Sequence, residues 1–275
     1  MATTKISVLM AHYKRSEILD HTLSIYEYSH DQSELDQVEF VIIDDSNGED
    51  TRFPDIINKH RDKLRIKAAM INEGTKNPVI PLNYAIKWAE GEYVLLTCCE
   101  IRPVIPNILT RLYFHCELDR YVTCGAYSIS EQDTAMLIQN PKIEFDIPLF
   151  NKGVSTTPDI GWLQHSKFRN ERVTFFAAIN RERLIEIGGY DEDFKDGWSW
   201  DDNELRDRIE RNGFQIVTLD YILTLHLWHY TTYKNDHPIE DKNRNEEIYR
   251  AKKAERALRA NEGREWGIVQ NVTIL

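Results

Sequence analysis

The sequence predicts an α/β protein, a mostly parallel central sheet flanked by helices and followed by a charged helical tail. Three observations carry this expectation. Short apolar runs of strand length alternate with segments whose apolar residues recur at helical spacing. Several of the runs stop abruptly at polar or acidic residues, as strands do at a sheet edge where ligands bind. After Pro238 the alternation ends and charge dominates.

Ile6–Met10 is an apolar run suited to a buried strand. Arg15–Tyr28 carries Ile18, Leu19, Leu23 and Tyr26 at helical spacing. Val38–Ile43 is a second buried strand, ending at Asp44 and Asp45. Phe53–Lys63 reads as a helix, Leu64–Ile71 as a third strand, Pro78–Ala89 as a helix closed by Gly91, and Tyr93–Thr97 as a fourth strand. Strands joined through helices pair in parallel. Val104–Leu118 predicts a helix and Tyr121–Ser130 a strand. From Glu131 to Arg172 the pattern is irregular, with Pro141, Pro148, Gly153, Pro158 and Gly161, a stretch of the kind that serves function. Val173–Asn180 resumes as a strand, and Asp202–Asn212 as a helix with Leu205 and Ile209 on its apolar face. Phe214–Leu219 and the run to Leu225 are strand-like, and Glu246–Ala260 is a charged helix placed to dimerise, cover a site or bind a partner.

Bulk properties narrow the function classes. Of 275 residues 41% are hydrophobic, which suffices for a substantial core, and the net charge of -11 disfavours broad binding to nucleic acid. No apolar run approaches the roughly 20 residues of a membrane span. The N-terminus lacks the pattern of a secretory signal, so a cytoplasmic protein without integral membrane contact is expected. Cys98, Cys99, Cys116 and Cys124 form no CxxC pair, which points to reduced, buried thiols rather than structural zinc.

The chemistry concentrates in Gly188–Arg208, GGYDEDFKDGWSWDDNELRDR. Aromatic faces beside carboxylates suit a protein that holds a sugar and deprotonates its hydroxyl. Asp201 and Asp202 stand at a helix start, which favours carboxylates, and neighbouring acids raise the pKa of one of them. Trp198 and Trp200 offer an acceptor-sugar platform. At the first strand end lie Ala11, His12, Tyr13, Lys14 and Arg15, and at the second Asp44, Asp45, Ser46 and Asn47. A carboxylate there can accept from a uracil ring nitrogen while Tyr13 stacks on the base. Asp and Ser cap turns equally well.

These residues resemble a family 2 glycosyltransferase with the GT-A fold. The match runs through ISVLMAHYKR, the Asp44-Asp45-Ser46-Asn47 turn, and NEGTKNPVIPLNYAIKWAEGEYVLL, where Asn72, Gly74, Asn83, Ala85, Gly91 and Glu92 fall on similar family residues. FFAAINRERLIEIGGYDEDFKDGWSWDDNELRDRI resembles the C-terminal half of such enzymes and is similar to the galactosyltransferase-type segment. The resemblance implies Asp202 as catalytic base, with Asp201 beside it. It implies Ala11, His12, Tyr13, Arg15, Asp44, Asp45, Asn72, Asn83 and Cys99 around the nucleotide. Trp198, Trp200, Gly189 and Phe176 would surround the sugar or acceptor. The family follows GEYVLL with an Asp-x-Asp triplet for a divalent metal, whereas this chain has Cys98-Cys99-Glu100 and keeps only the last carboxylate. Glu100, helped by His226 or His229 and by diphosphate oxygens, is the expected ligand set for Mn²⁺ or Mg²⁺.

The expected organisation is a domain over residues 1–237, with a nucleotide-binding half (1–103) and an acceptor and catalytic half (104–237), then a tail over 238–275. The expected function is inverting transfer of a sugar from a nucleotide-diphosphate donor, UDP-linked, to a hydroxyl of a glycan or glycoconjugate. The same chemistry on a protein or a hydroxymethylated nucleic-acid base is one alternative. The missing Asp-x-Asp motivates another, a sugar- or nucleotide-binding module without catalysis.

Overall fold

Eleven strands join one mixed sheet in the computed structural model, which describes residues 4–147, 155–156, 159–230 and 239–275. Pro148, Gly153 and Pro158 of the irregular stretch, and Pro238 before the tail, lie outside the described residues.

The N-terminal half follows the expected alternation. β1 (Ile6–His12), β2 (Val38–Asp44), β3 (Ile66–Ile71) and β4 (Tyr93–Cys98) pair in parallel in the order β3-β2-β1-β4. Helices cover both faces, which is why β1, β2 and β4 read as continuous apolar runs. α1 (Ser16–Ser29), the single turn α2 (Gln32–Leu35) and α3 (Phe53–His60) pack Leu19, Leu23, Tyr26, Leu35 and Phe53 on one face. α4 (Val79–Trp88) packs Val79, Leu82, Ala85 and Ile86 on the other.

The second half departs from a simple parallel sheet. It comprises β5 (Ile101–Pro103), α5 (Ile108–Tyr113), β6 (Arg120–Ser128), α6 (Glu131–Gln139), β7 (Ser155–Thr156), β8 (Asp159–Gln164), β9 (Phe176–Asn180), α7 (Arg181–Glu186), α8 (Asp201–Arg211) and β10 (Gln215–His226). β10 runs parallel to β6, but β9 lies antiparallel between β4 and β6. No crossover helix separates β8 from β9, so nothing forces β9 into the parallel sense. The two strand-like runs between Phe214 and Leu225 are one strand, broken in register between Leu219 and Leu223. The stretch expected to be irregular contains α6 and β8.

The reversal of β9 sets up the site. β9 begins on the edge where β1, β2, β4, β6 and β10 end. His12, Asp44, Cys98, Ser128 and His226 therefore share one edge with the residues just before Phe176.

Beyond residue 238 the chain is helical, as the charge pattern predicts, over α9 (Ile239–Glu255). It then folds back onto the sheet. Trp266 is 5% exposed within the apolar cluster around α4, and β11 (Val272–Ile274) pairs antiparallel with β3. Asn245 is buried and donates to the Phe194 and Ser199 carbonyls, at 3.1 Å each. The segment drawn from composition as a separate tail thus shares the core of the preceding residues. Trp266→Ala should cost about 3–5 kcal/mol, read as a lower urea midpoint, whereas truncating a side chain on a detached tail leaves the midpoint in place.

Candidate active site

The first wall of the site is a pinned loop. His12, buried at the end of β1, directs Nδ1 to Asp44 Oδ1 at 2.7 Å, and its Nε2 accepts from the Arg15 N–H at 3.1 Å. The Arg15 N–H can only donate, so Nε2 is the acceptor and Nδ1 bears the proton directed to Asp44. Ser46 donates to the other Asp44 oxygen at 2.7 Å. His12 and Asp44 are thereby committed to shaping the turn between β1 and α1. Asp45 is also committed. The Glu73 and Gly74 N–H groups donate to Oδ1 at 2.9 and 3.2 Å, and the Thr75 N–H and hydroxyl to Oδ2 at 3.3 and 3.0 Å. It holds the loop after β3 against the end of β2. Tyr13 stays 40% exposed at the mouth, with Lys14 Nζ 5.1 Å from its ring centroid. Asn72 is exposed just after β3, and Ala11 is half-buried opposite Cys98.

The second wall is built around Glu100, buried in the turn from β4 to β5. The Arg15 guanidinium lies against Glu100 Oε1. Cys99 Sγ donates to Oε2 at 3.3 Å; burial pushes this thiol up to about 11, so it remains a donor. The pairing of Ile101 with His226 and the Leu227 N–H on the Glu100 carbonyl at 2.9 Å carry the end of β10 to this turn. His229 Nε2 stands 3.6 Å from Glu100 Oε1. His226 packs its ring edge-on against Phe175, with centroids 5.8 Å apart, and lies 5.3 Å from the His229 ring.

The third wall carries the acid pair. Ser199 and Trp200 both adopt left-handed backbone, at φ 67° and 72°, and this bend starts α8 at Asp201. Such conformations in non-glycine residues cost on the order of 1–3 kcal/mol each. Asp201 is buried and accepts from Asn77 Nδ2 at 2.9 Å. Burial raises its pKa, with Asn77 opposing. Asp202 is partly exposed and accepts from the Thr174 hydroxyl, just ahead of β9. Burial, reinforced by the charge of Asp201, raises Asp202 to about 7, while Thr174 and Arg206 pull the other way. Asp202 is thus a carboxylate poised to take a proton near neutrality.

Several expected site residues serve the scaffold. Phe176 is 1% exposed in the core, and Cys99 packs in the same cluster. Asn83 is fully buried and bonds both the N–H and the carbonyl of Tyr190, at 2.8 and 2.9 Å. Gly189 has φ +64°, and a Cβ there would meet Asn83 Oδ1 and the Trp266 ring at 2.6 Å. Trp200 stacks on Tyr249, with centroids 5.0 Å apart, and Lys242 Nζ lies 5.4 Å from the Trp198 ring centroid. The structure instead adds Asn77, Thr174 and Arg206 around the acid pair. Thr174 lies inside a strand predicted from sequence, and no pattern distinguishes it from other threonines.

Comparison with known proteins bears on the fold. A family model described as the N-terminal domain of galactosyltransferase matches residues 163–236, which include the acid pair and both histidines. No curated protein matches the chain. The mannosyltransferase PcManGT from Pyrobaculum calidifontis, solved with GDP-Man and Mn²⁺, superposes with TM-score 0.54 at 16% identity, over 80% of this chain and 56% of its own. S. aureus TarS 1-349 with UDP superposes with TM-score 0.57 at 17% identity, over 82% of this chain and 60% of its own. The same protein with UDP-GlcNAc gives 0.57 at 16%, over 82% and 59%. The chain thus has the GT-A glycosyltransferase fold and spans less than two thirds of the length of these structures.

The fold raises the question of a divalent ion. Among the described residues, no group of three or more His, Cys, Asp or Glu side chains is placed to hold one. Glu100 Oε1 and His229 Nε2 nonetheless stand 3.6 Å apart, a spacing one ion with bonds of about 2.1–2.2 Å can bridge once the Arg15 guanidinium leaves Oε1. Two protein donors suit a hard cation shared with substrate phosphates. His229 Nε2 makes this approach to Glu100.

Thr174 yields a direct prediction. In Thr174→Val the Asp202 titration should move up by about one pH unit, because a hydrogen bond to the charged form is lost. Thr174→Ser should restore it. Carboxyl ¹³C NMR with Asp202→Asn for assignment reads this, and an unmoved titration contradicts it.

Proposed function

We propose that this chain is an inverting glycosyltransferase of the family 2 type, moving a sugar from a UDP-linked donor to an acceptor hydroxyl. The observation that carries the reading is Asp202, a carboxylate raised to about 7 at the carboxyl edge of the sheet. A pure binding module has no use for such a base.

In this reading Tyr13 stacks on the nucleobase at the mouth of the cleft. The Asp45-held loop of residues 73–75 lines the nucleotide, and Arg15 faces the diphosphate. Glu100 and His229 would hold a divalent ion, which supplies Lewis-acid stabilisation of the leaving phosphate. Asp202 takes the proton of the acceptor hydroxyl as its oxygen attacks the anomeric carbon. The bond from that carbon to the phosphate oxygen breaks on the opposite face, and the nucleoside diphosphate departs. One displacement inverts the anomeric centre and leaves no covalent glycosyl-enzyme. Thr174 holds one Asp202 oxygen so that the other receives the proton. Asp201, tied to Asn77, supplies the charge that keeps Asp202 basic.

Three outcomes test this. Asp202→Asn should lower kcat by about 10²–10⁴-fold with nucleotide affinity unchanged; near-normal transfer contradicts the assignment. The second concerns stability against pH. Because Asp202 in the fold lies near 7, above its ordinary 3.8, the native state binds the extra proton. Wild-type stability therefore falls as pH rises from about 4 through 7, by on the order of a few kcal/mol. Asp202→Asn should be the more stable form at pH 8 and lose that advantage at pH 4, as urea unfolding at both values will show. The third concerns the ion. Calorimetric titration of Mn²⁺ with UDP should weaken in Glu100→Gln and His229→Ala, and less in His226→Ala. Equal effects of the two histidine variants remove the distinction between them.

A further inference from the structure

The aromatic platform expected at Trp198 and Trp200 is not where the open aromatic surface lies. Trp200 is stacked on Tyr249, and Trp198 lies beneath the Lys242 ammonium. A cavity of about 470 Å³ opens instead at the ends of β6 and β10, with Trp228 on its wall. Its volume lies within the range of small-molecule sites. Its Trp228 wall is tied to the Glu100 turn, because the N–H of the preceding residue, Leu227, donates to the Glu100 carbonyl at 2.9 Å and His229 Nε2 stands 3.6 Å from Glu100 Oε1.

The wall is fixed. The Trp228 N–H donates to the hydroxyl of buried Thr134 at 2.8 Å, and the Ile129 N–H donates to the His226 carbonyl at 3.2 Å. Trp228 is 38% exposed and shares the wall with Ile129 and Ile160. The rim is polar, formed by Ser130, Glu131 and Gln132 where α6 begins. Ser130 is spent on its helix, since its hydroxyl donates to Asp133 Oδ2 at 2.7 Å and accepts from the Asp133 N–H at 3.0 Å. Glu131 and Gln132 are exposed and remain to meet a ligand.

We propose that this cavity is the acceptor subsite and that it takes a neutral sugar ring, with Trp228 as its platform. A pyranose presents a C–H face suited to an indole and a belt of hydroxyls suited to Glu131 and Gln132. A purely apolar ligand would bury those two polar groups without partners. An anionic ligand would meet the Glu131 carboxylate. The indole thus sets affinity, and the start of α6 selects for charge. This subsite rests on the transferase reading, since it names the acceptor class for that reaction.

The test is saturation-transfer NMR on the full chain. The neutral probes are the methyl glycosides of glucose, galactose, mannose and N-acetylglucosamine, and methyl glucuronide is the anionic one. UDP affinity is measured on the same samples. At least one neutral glycoside should bind wild type and bind Trp228→Ala at least about tenfold more weakly, the loss of roughly one stacking contact. Glu131→Gln should admit the glucuronide. UDP affinity should be unchanged in each variant, which also reports the fold. Should Trp228→Ala lose UDP binding, Gln132→Ala at the exposed rim and Trp228→Phe take its place, the first weakening the glycoside and the second retaining it. Glycoside binding that survives Trp228→Ala, or absent binding of all four neutral probes with UDP bound normally, overturns the subsite alone. Failure of wild type to bind UDP overturns the donor reading instead.

Discussion

The placement of α8 and its acid pair depends on one buried polar clamp around the turn at residues 187–190. The turn needs Gly188 and Gly189 at φ +93° and +64°, and it directs its carbonyls inward. Buried carbonyls demand partners. Three buried side chains from distant segments supply them. Arg208 of α8 donates to the Ile187 and Gly189 carbonyls at 2.7 Å each. Asn261 donates to the Gly188 and Tyr190 carbonyls at 2.8 and 2.7 Å, and Asn83 of α4 donates to the Tyr190 carbonyl at 2.9 Å. Arg208 is fully buried, and Glu204 balances its charge at 2.7 Å. Breaking such a pair by removing one partner leaves an uncompensated charge, which costs about 3–5 kcal/mol. The clamp therefore locks α8 to α4 and to the C-terminal segment. That lock bears the strained backbone at Ser199 and Trp200, which in turn aims Asp202.

Two carboxylates at the same sheet edge are treated in opposite ways. Glu100 is paired, with Arg15 against one oxygen and the Cys99 thiol on the other. Asp202 has a like-charged neighbour in Asp201 and one hydroxyl donor in Thr174. The first arrangement gives each carboxylate oxygen a donor, which favours the charged form. The second makes the charged form costly, as a base needs. Neighbouring positions in sequence do not predict this division, because Asp201 and Asp202 are chemically identical until Asn77 immobilises one of them.

The parallel half of the fold was legible because its strands are buried on both faces and its helices are amphipathic. The edge that holds the site was legible for the same reason, since strand ends carry the polar residues. Other features were hidden by physical causes. β11 is three residues, Val272–Ile274, too short for any period. The segment after Glu255 is anchored by single side chains, Asn261 and Trp266, without repeating spacing. The sense of β9 depends on the absence of a crossover helix, which lies inside a stretch rich in proline and glycine. Asn83 and Gly189 matched the family pattern at the site, yet both serve the clamp. The directions of Trp198 and Trp200 are set by the left-handed backbone at Ser199 and Trp200, which side-chain type does not encode. How His226 and His229 sit beside Glu100 depends on where β10 leaves its ladder, which the Leu227–Glu100 bond and the pairing of His226 with Ile101 mark.

The two halves of the cleft differ in how they are held, and the difference bears on specificity. At the ends of β1 and β2, His12, Asp44, Ser46 and Asp45 spend their hydrogen bonds on one another and on backbone, so a substitution there disturbs the loops themselves. At the Trp228 cavity, proposed above for the acceptor, the rim includes exposed Glu131 and Gln132. A change at either residue alters the charge and hydrogen bonding offered to a ligand and leaves the Trp228 wall, the acid pair and Glu100 as they are. Surface substitutions of this kind usually move stability by less than about 0.5 kcal/mol. In the proposed reading, acceptor preference can therefore change independently of the chemistry, because Glu131 and Gln132 are not among the residues that position Asp202 and Glu100.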